Sequence, residues 1–133
     1  MTVALIRNST LLRFLIVGGG MTALYSVLAA LATTYLPLPH ALSAAGVWML
    51  CIPLGFWCQR RFTFTASAPH RHAIWLYAAT QVMGICIAAT ASYLLARGSF
   101  WPDLIVHLLA SALSALASYV INGRFVFPHH SAD

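Results

Sequence analysis

The sequence predicts an all-α integral membrane protein, with four transmembrane helices forming two helical hairpins of the same orientation. Three observations lead there. Of 133 residues, 61% are hydrophobic and 7% charged, with a mean hydropathy of +0.83, whereas a water-soluble surface normally needs about a quarter charged residues. The charges avoid four apolar runs, at 14–35, 41–59, 73–96 and 104–123, each close to the roughly 20 residues that a bilayer crossing requires. Finally, each half closes on one plan of amide, arginine and aromatics: Gln59-Arg60-Arg61-Phe62-Thr63-Phe64, then Asn122-Gly123-Arg124-Phe125-Val126-Phe127.

Taken in order, residues 1–12 form a weakly amphipathic lead, expected at the membrane interface, in which a polar patch separates Arg7 from Arg13. Basic residues before an apolar run also outline a secretion signal. This run exceeds a usual signal core and three more follow it, so it is expected to remain as the first helix. Helix one, about 14–34, carries Gly18-Gly19-Gly20 near its start, with Gly19, Ala23 and Ala30 as small positions and Thr22 and Ser26 as a hydroxyl pair. In hydrocarbon such glycines are tolerated where another helix packs close; a substrate-facing notch is the other reading. Pro37 and Pro39 then stop the helix. Helix two, about 41–58, contains Pro53 and is expected to kink there, either as a packing feature or to aim a freed carbonyl at a pathway.

The central loop, 60–72, bears Arg60, Arg61, His70, Arg71 and His72 and no acidic residue. Helix three, about 73–95, sets Thr80, Gly84, Ala88 and Ser92 at four-residue spacing. This stripe admits another backbone and is the candidate contact face of a homo-oligomer. Gln81 beside it is an amide in lipid that must find a partner. Residues 97–103 read as a second tight turn, and helix four, about 104–121, aligns Ser111, Ser114 and Ser118 beside Ala110 and Ala117. The transmembrane domain is thus expected over 12–127, with 128–133 a short, disordered polar tail.

Arginine placement orients the chain. With both termini and the central loop on one side, that side holds Arg7, Arg13, Arg60, Arg61, Arg71 and Arg124, while the other holds Arg97 beside Asp103. Both termini are therefore expected in the cytoplasm. The net charge of +5 and pI near 9.6 come from arginines spread along span ends, which argues against a nucleic-acid partner. Cys51, Cys58 and Cys86 form no C-x-x-C pair and read as small apolar fillers. His107 and His129-His130 lack further ligands at metal-binding spacing, and no phosphate-cradling glycine loop is present, so neither metal nor cofactor is expected. The two acidic residues, Asp103 in the outer turn and Asp133 at the end, supply no carboxylate pair for acid–base catalysis and no carboxylate within a span to carry a proton. On that ground the chain is expected to be no enzyme and to lack the acidic device of small multidrug-resistance transporters.

What remains is a cationic cluster at helix ends: Arg13, Arg60, Arg61 and Arg124, with Gln59 and Asn122 slightly deeper. A guanidinium fork suits a phosphate, and a neighbouring amide can bond a phosphate oxygen or a sugar hydroxyl. Arginines there also hold topology and touch anionic lipids, and both readings stand on the residues alone. Phe62, Phe64, Phe125 and Phe127 divide similarly between interface anchoring and a flank for a lipid tail.

Arg13-Phe14 followed by Val17-Gly18 and Thr22, the Gln59–Phe64 motif and the Asn122–Phe127 motif together resemble the GtrA-like family of small four-helix membrane proteins. The resemblance covers nearly the whole chain. It departs at Gln59, where the family usually has asparagine, and at Gly123, where a second basic residue is common; the first moves the amide by one methylene and the second shifts reliance onto Arg60 and Arg61. The resemblance implies a multi-pass protein of the bacterial cytoplasmic membrane that moves a polyprenyl-phosphate-linked sugar for cell-surface polysaccharide or glycolipid synthesis. On this reading Arg13, Gln59, Arg60, Arg61, Asn122 and Arg124 hold the lipid phosphate, and Thr22, Ser26, Gln81, Ser111, Ser114 and Ser118 line a polar seam for the sugar. A homo-oligomer, a membrane glycosyltransferase partner, or both, are expected to enclose it. The alternative is a non-transporting scaffold or accessory subunit of such a glycosyltransferase.

Overall fold

A computed structural model describes residues 10–63 and 71–125. The expected lead up to residue 9, the loop tip with Phe64 and His70, and the tail lie outside the described residues. Four helices make up the fold: α1 (Thr10–Tyr35), α2 (His40–Cys58), α3 (Arg71–Leu95) and α4 (Phe100–Phe125), with a π-helical turn (Gln59–Thr63) continuing α2. All four are long and apolar enough to cross a membrane. The shortest, α2, spans about 29 Å at 1.5 Å per residue, close to the roughly 30 Å hydrocarbon core.

Packing pairs α1 with α4 and α2 with α3, and α1–α2 and α3–α4 contacts close the ring. Across the centre α1 meets α3 through side chains, as Tyr25 and Ala29 reach Ala88, with Val47, Trp48 and Cys51 packed alongside. Small and polar residues dominate the interior: Ala29, Ala30, Ala44, Ala88 and Ala110, with Ser26, Thr33, Ser43, Thr80, Ser92, Ser111 and Ser114. Large apolar side chains point outward, with Leu50 at 79% exposed. That distribution would be ruinous in water; it suits lipid, where close backbone packing and interhelical bonds replace hydrophobic burial.

Several boundaries differ from the sequence reading. Helix α4 begins at Phe100, so that Pro102 and Asp103 belong to its first turn, and the Asp103 amide bonds the Ser99 carbonyl at 3.0 Å. Proline is allowed there because a first-turn N–H has no intrahelical acceptor. The connection left between α3 and α4 is a turn with Gly98 at φ +77°, where a side chain would be strained. At the far end α4 runs on through Phe125.

The Thr80–Ser92 stripe corrects the expectation of an oligomer face. Thr80, Gly84, Ala88 and Ser92 are all buried within this one chain, and a Cβ on Gly84 would collide with the Trp48 indole. The stripe admits α2, not a second copy. Conversely, a Cβ on Gly18, Gly19 or Gly20 would meet nothing within 4 Å, so of the two readings of these glycines the close helix contact fails. Pro53 sits on the exposed face of α2.

Candidate functional site

A cavity of about 470 Å³ opens between the helices toward the end where α1 begins and α2 finishes. Its lining includes Phe14, Gly18, Gly19 and Thr22 from α1, Trp48 and Cys51 from α2, Gln59 from the π turn, Tyr77 and Gln81 from α3, and Ser111, Ser114 and Ser118 from α4. Five of the six residues expected along a polar seam thus share one wall system. Ser26, the sixth, lies behind it, fully buried, with Oγ 3.4 Å from the Ser111 hydroxyl. Gly18 and Gly19 have the place of a notch in the wall.

The hydroxyls are arranged by their own helices. Ser26 donates to the Thr22 carbonyl at 2.7 Å, Ser111 to the His107 carbonyl at 2.8 Å and Ser114 to the Ala110 carbonyl at 2.9 Å. Such bonding one turn back satisfies the proton of each hydroxyl in hydrocarbon and leaves the oxygen as an acceptor. Gln81 finds its partner in Trp48, whose indole N–H donates to Oε1 at 3.0 Å; the amide NH₂ remains as a donor group on the wall. Trp48 in turn meets Tyr25 edge to face, at 4.8 Å between ring centroids. The cavity therefore offers hydroxyl acceptors, an amide donor and aromatic faces, the mixture that a polyol with both polar edges and C–H faces requires.

The cationic candidates lie toward the mouth. Arg13 is half-buried and adjoins Phe14, a lining residue; Gln59 lines the cavity itself; Arg61 is exposed. The π turn carrying Gln59, Arg60 and Arg61 packs on both α1 and α2. Asn122 and Arg124 stand on the last turns of α4, beyond Ser118; side chains of Arg60, Asn122 and Arg124 lie outside the described part of the structure.

A model described as GtrA/DPMS, transmembrane domain, matches residues 13–129. The chain belongs to this family. The matched segment of the GtrA/DPMS domain runs from Arg13 past both amide-and-arginine motifs and so takes in the whole cavity. No curated protein and no solved structure matches the chain.

The opposite end of this GtrA/DPMS domain holds polar residues that the sequence reading misplaced. Asp103, expected in a loop, is 0% exposed within a helix that can span the membrane. Its carboxylate accepts from the Thr33 hydroxyl at 2.8 Å and from the Arg97 and Gly98 amides at 2.8 and 3.1 Å. The exclusion of a carboxylate from the spans is thereby overturned. His107, one turn on, is also 0% exposed and stands edge-on to Tyr25 at 5.8 Å. Nearby, the Ser92 hydroxyl donates to the His40 carbonyl at 3.0 Å and His40 Nδ1 lies 3.2 Å from the Ala96 carbonyl oxygen. A signal for this end existed: Asp103 and His107 extend the Ser111, Ser114 and Ser118 face in helical register, but Pro102 made Asp103 read as part of a turn. Tyr25, Trp48 and Tyr77 had no comparable signal, because an aromatic within an apolar run fits lipid and cavity equally well.

Proposed function

We propose that this chain moves a polyprenyl-phosphate-linked sugar across the bacterial cytoplasmic membrane, supplying cell-surface polysaccharide or glycolipid synthesis. The observation that carries the reading is the cavity, whose hydroxyl and amide wall leads to Gln59 at the arginine-bearing end. Family membership and four membrane-length helices support it. The arginines of the two motifs hold the lipid phosphate at the cytoplasmic face, the sugar enters the cavity, and the prenyl chain stays in lipid. No bond is made or broken, so the chain acts as a carrier and not as an enzyme. A second copy, or the glycosyltransferase that uses the lipid, closes the open side.

The test is movement of a labelled polyprenyl-phosphate sugar into sealed proteoliposomes by wild type and by the Arg60→Ala/Arg61→Ala and Arg124→Ala variants. Transport by wild type, lost in variants that remain folded, is the expected result. Well-folded wild type that moves none of several sugars overturns the carrier reading in favour of an accessory role beside a glycosyltransferase.

A further inference from the structure

The end of the bundle away from the cavity is shut by polar bonds, and one carboxylate is central to them. Asp103 ties α1 through the Thr33 hydroxyl and ties the α3–α4 turn through two backbone amides. All three donors are neutral, so the negative charge of the carboxylate is buried without being cancelled by them. One helical turn along the same face, His107 is fully buried and neither ring nitrogen has a hydrogen-bond partner among the described residues; the adjacent Tyr25 hydroxyl is likewise buried and unpartnered. Buried polar groups left unpaired are costly and call for a polar guest.

We propose that Asp103 and His107 form a proton-binding site, that a proton taken up there opens this end of the bundle, and that outward movement of the lipid-linked sugar is exchanged for that proton. The last clause rests on the carrier reading above. The guest follows from charge. Loading one proton takes the carboxylate–imidazole pair from a net negative charge to neutrality, the state that tolerates rearrangement in a low-dielectric interior. A carboxylate that accepts this proton becomes a weaker acceptor, and its bonds to Thr33, Arg97 and Gly98 loosen together. The other groups facing the site are Tyr25 from α1, His40 from α2 and Arg97 in the turn, the last with its side chain exposed; α3 brings Ser92 and Ala88, which do not titrate. Protonated His40 can still donate to the Ala96 carbonyl, so it makes no latch.

In exchange, the proton enters from the outer aqueous phase to the imidazole, and its departure toward the cavity lets the carboxylate re-form its bonds and close the outer end. Ser111, one turn below His107, meets Ser26 and lines that cavity, so the route is polar. A lipid phosphodiester carries one negative charge outward while the proton carries one positive charge inward. Acid outside and negative potential inside therefore drive the cycle in the same direction.

Wild type, Asp103→Asn and His107→Gln are compared in lipid nanodiscs by NMR between about pH 5 and 8, the range of histidine titration, following the Arg97 and Gly98 amides and the His107 imidazole. In wild type the amides and the imidazole are expected to shift together and the amides to exchange faster on acidification; in Asp103→Asn, which keeps an acceptor for folding, the linked amide shift disappears. Proteoliposome uptake is then measured with and without an imposed pH gradient. Wild type is expected to follow the gradient, and His107→Gln to lose gradient-driven accumulation. Amides and imidazole that do not respond to pH overturn the site. A responding site with uptake indifferent to the gradient overturns the coupling alone, and a responding site in a wild type that moves no lipid upholds the site while removing the carrier reading.

Discussion

Gly84 and Gly18 are both helical glycines in apolar runs, yet their surroundings differ completely. A methyl group on Gly84 would lie 2.9 Å and 3.1 Å from Trp48 Cε2 and Cη2 and nearer still to Cζ2, whereas one on Gly18 would meet nothing within 4 Å. Gly84→Ala should therefore destabilise the fold by about 1–3 kcal/mol, the usual cost of overpacking, while Gly18→Ala should melt like wild type. Thermal unfolding in a mild detergent separates the two. Because the stripe around Gly84 is internal, the folded variant should also keep the oligomeric state of wild type; a changed state would restore the stripe as an assembly face. The Trp48–Gln81 bond lends itself to a double-mutant cycle. Gln81→Leu leaves the indole N–H unpaired and should cost about 1–3 kcal/mol, and adding Trp48→Phe should recover part of that loss.

At the scale of elements, the duplicated motif takes two conformations. Gln59–Thr63 forms a π-helical turn beyond α2, whereas Asn122 through Phe125 stay in regular α-helix. The repeated pattern thus marked the end of α2 but fell inside the last turns of α4, and it did not reveal that one copy widens; π turns often accompany functional sites. The four helices were legible because hydrophobic length is a strong signal, and Pro37 and Pro39 fixed the first connection closely. Pro102 misled, since a proline preceded by aromatics and followed by an aspartate reads as a turn although it also fits the first turn of a helix. That single shift moved Asp103 from loop to interior. Orientation belongs to this scale too. In a background without native cysteines, Ser99→Cys should react with a membrane-impermeant maleimide on intact cells, whereas Ser67→Cys in the central loop should react only after lysis; the reverse pattern would place the arginine motifs outside and invert the direction of transport.

Across the whole molecule, aromatic side chains mark two levels: Trp57, Phe62 and Trp75 toward the arginine end, and Tyr35, Tyr93 and Trp101 toward the other, all exposed, as expected of interfacial belts. Between them the interior is asymmetric, open and hydroxyl-lined at one end and cross-tied at the other. The serine and threonine faces were readable from helical spacing, and the bundle brings them together as that spacing implies. Their aromatic companions were not, because which way Trp48 or Tyr25 points depends on helix rotation, which neighbouring helices decide. The asymmetry yields a test of the cavity independent of the arginines. Gly18→Leu projects a branched side chain from a position where a Cβ would meet nothing within 4 Å, so folding should be preserved while the space for a headgroup shrinks. Uptake of the labelled lipid-linked sugar should then fall by about tenfold or more, as expected when a well-fitting site is occluded at a cost exceeding about 1.4 kcal/mol, with the melting temperature unchanged. Ser118→Leu, at a half-buried cavity-lining position on the facing helix, should act in the same way. If both variants melt and transport like wild type, the headgroup does not pass through this cavity.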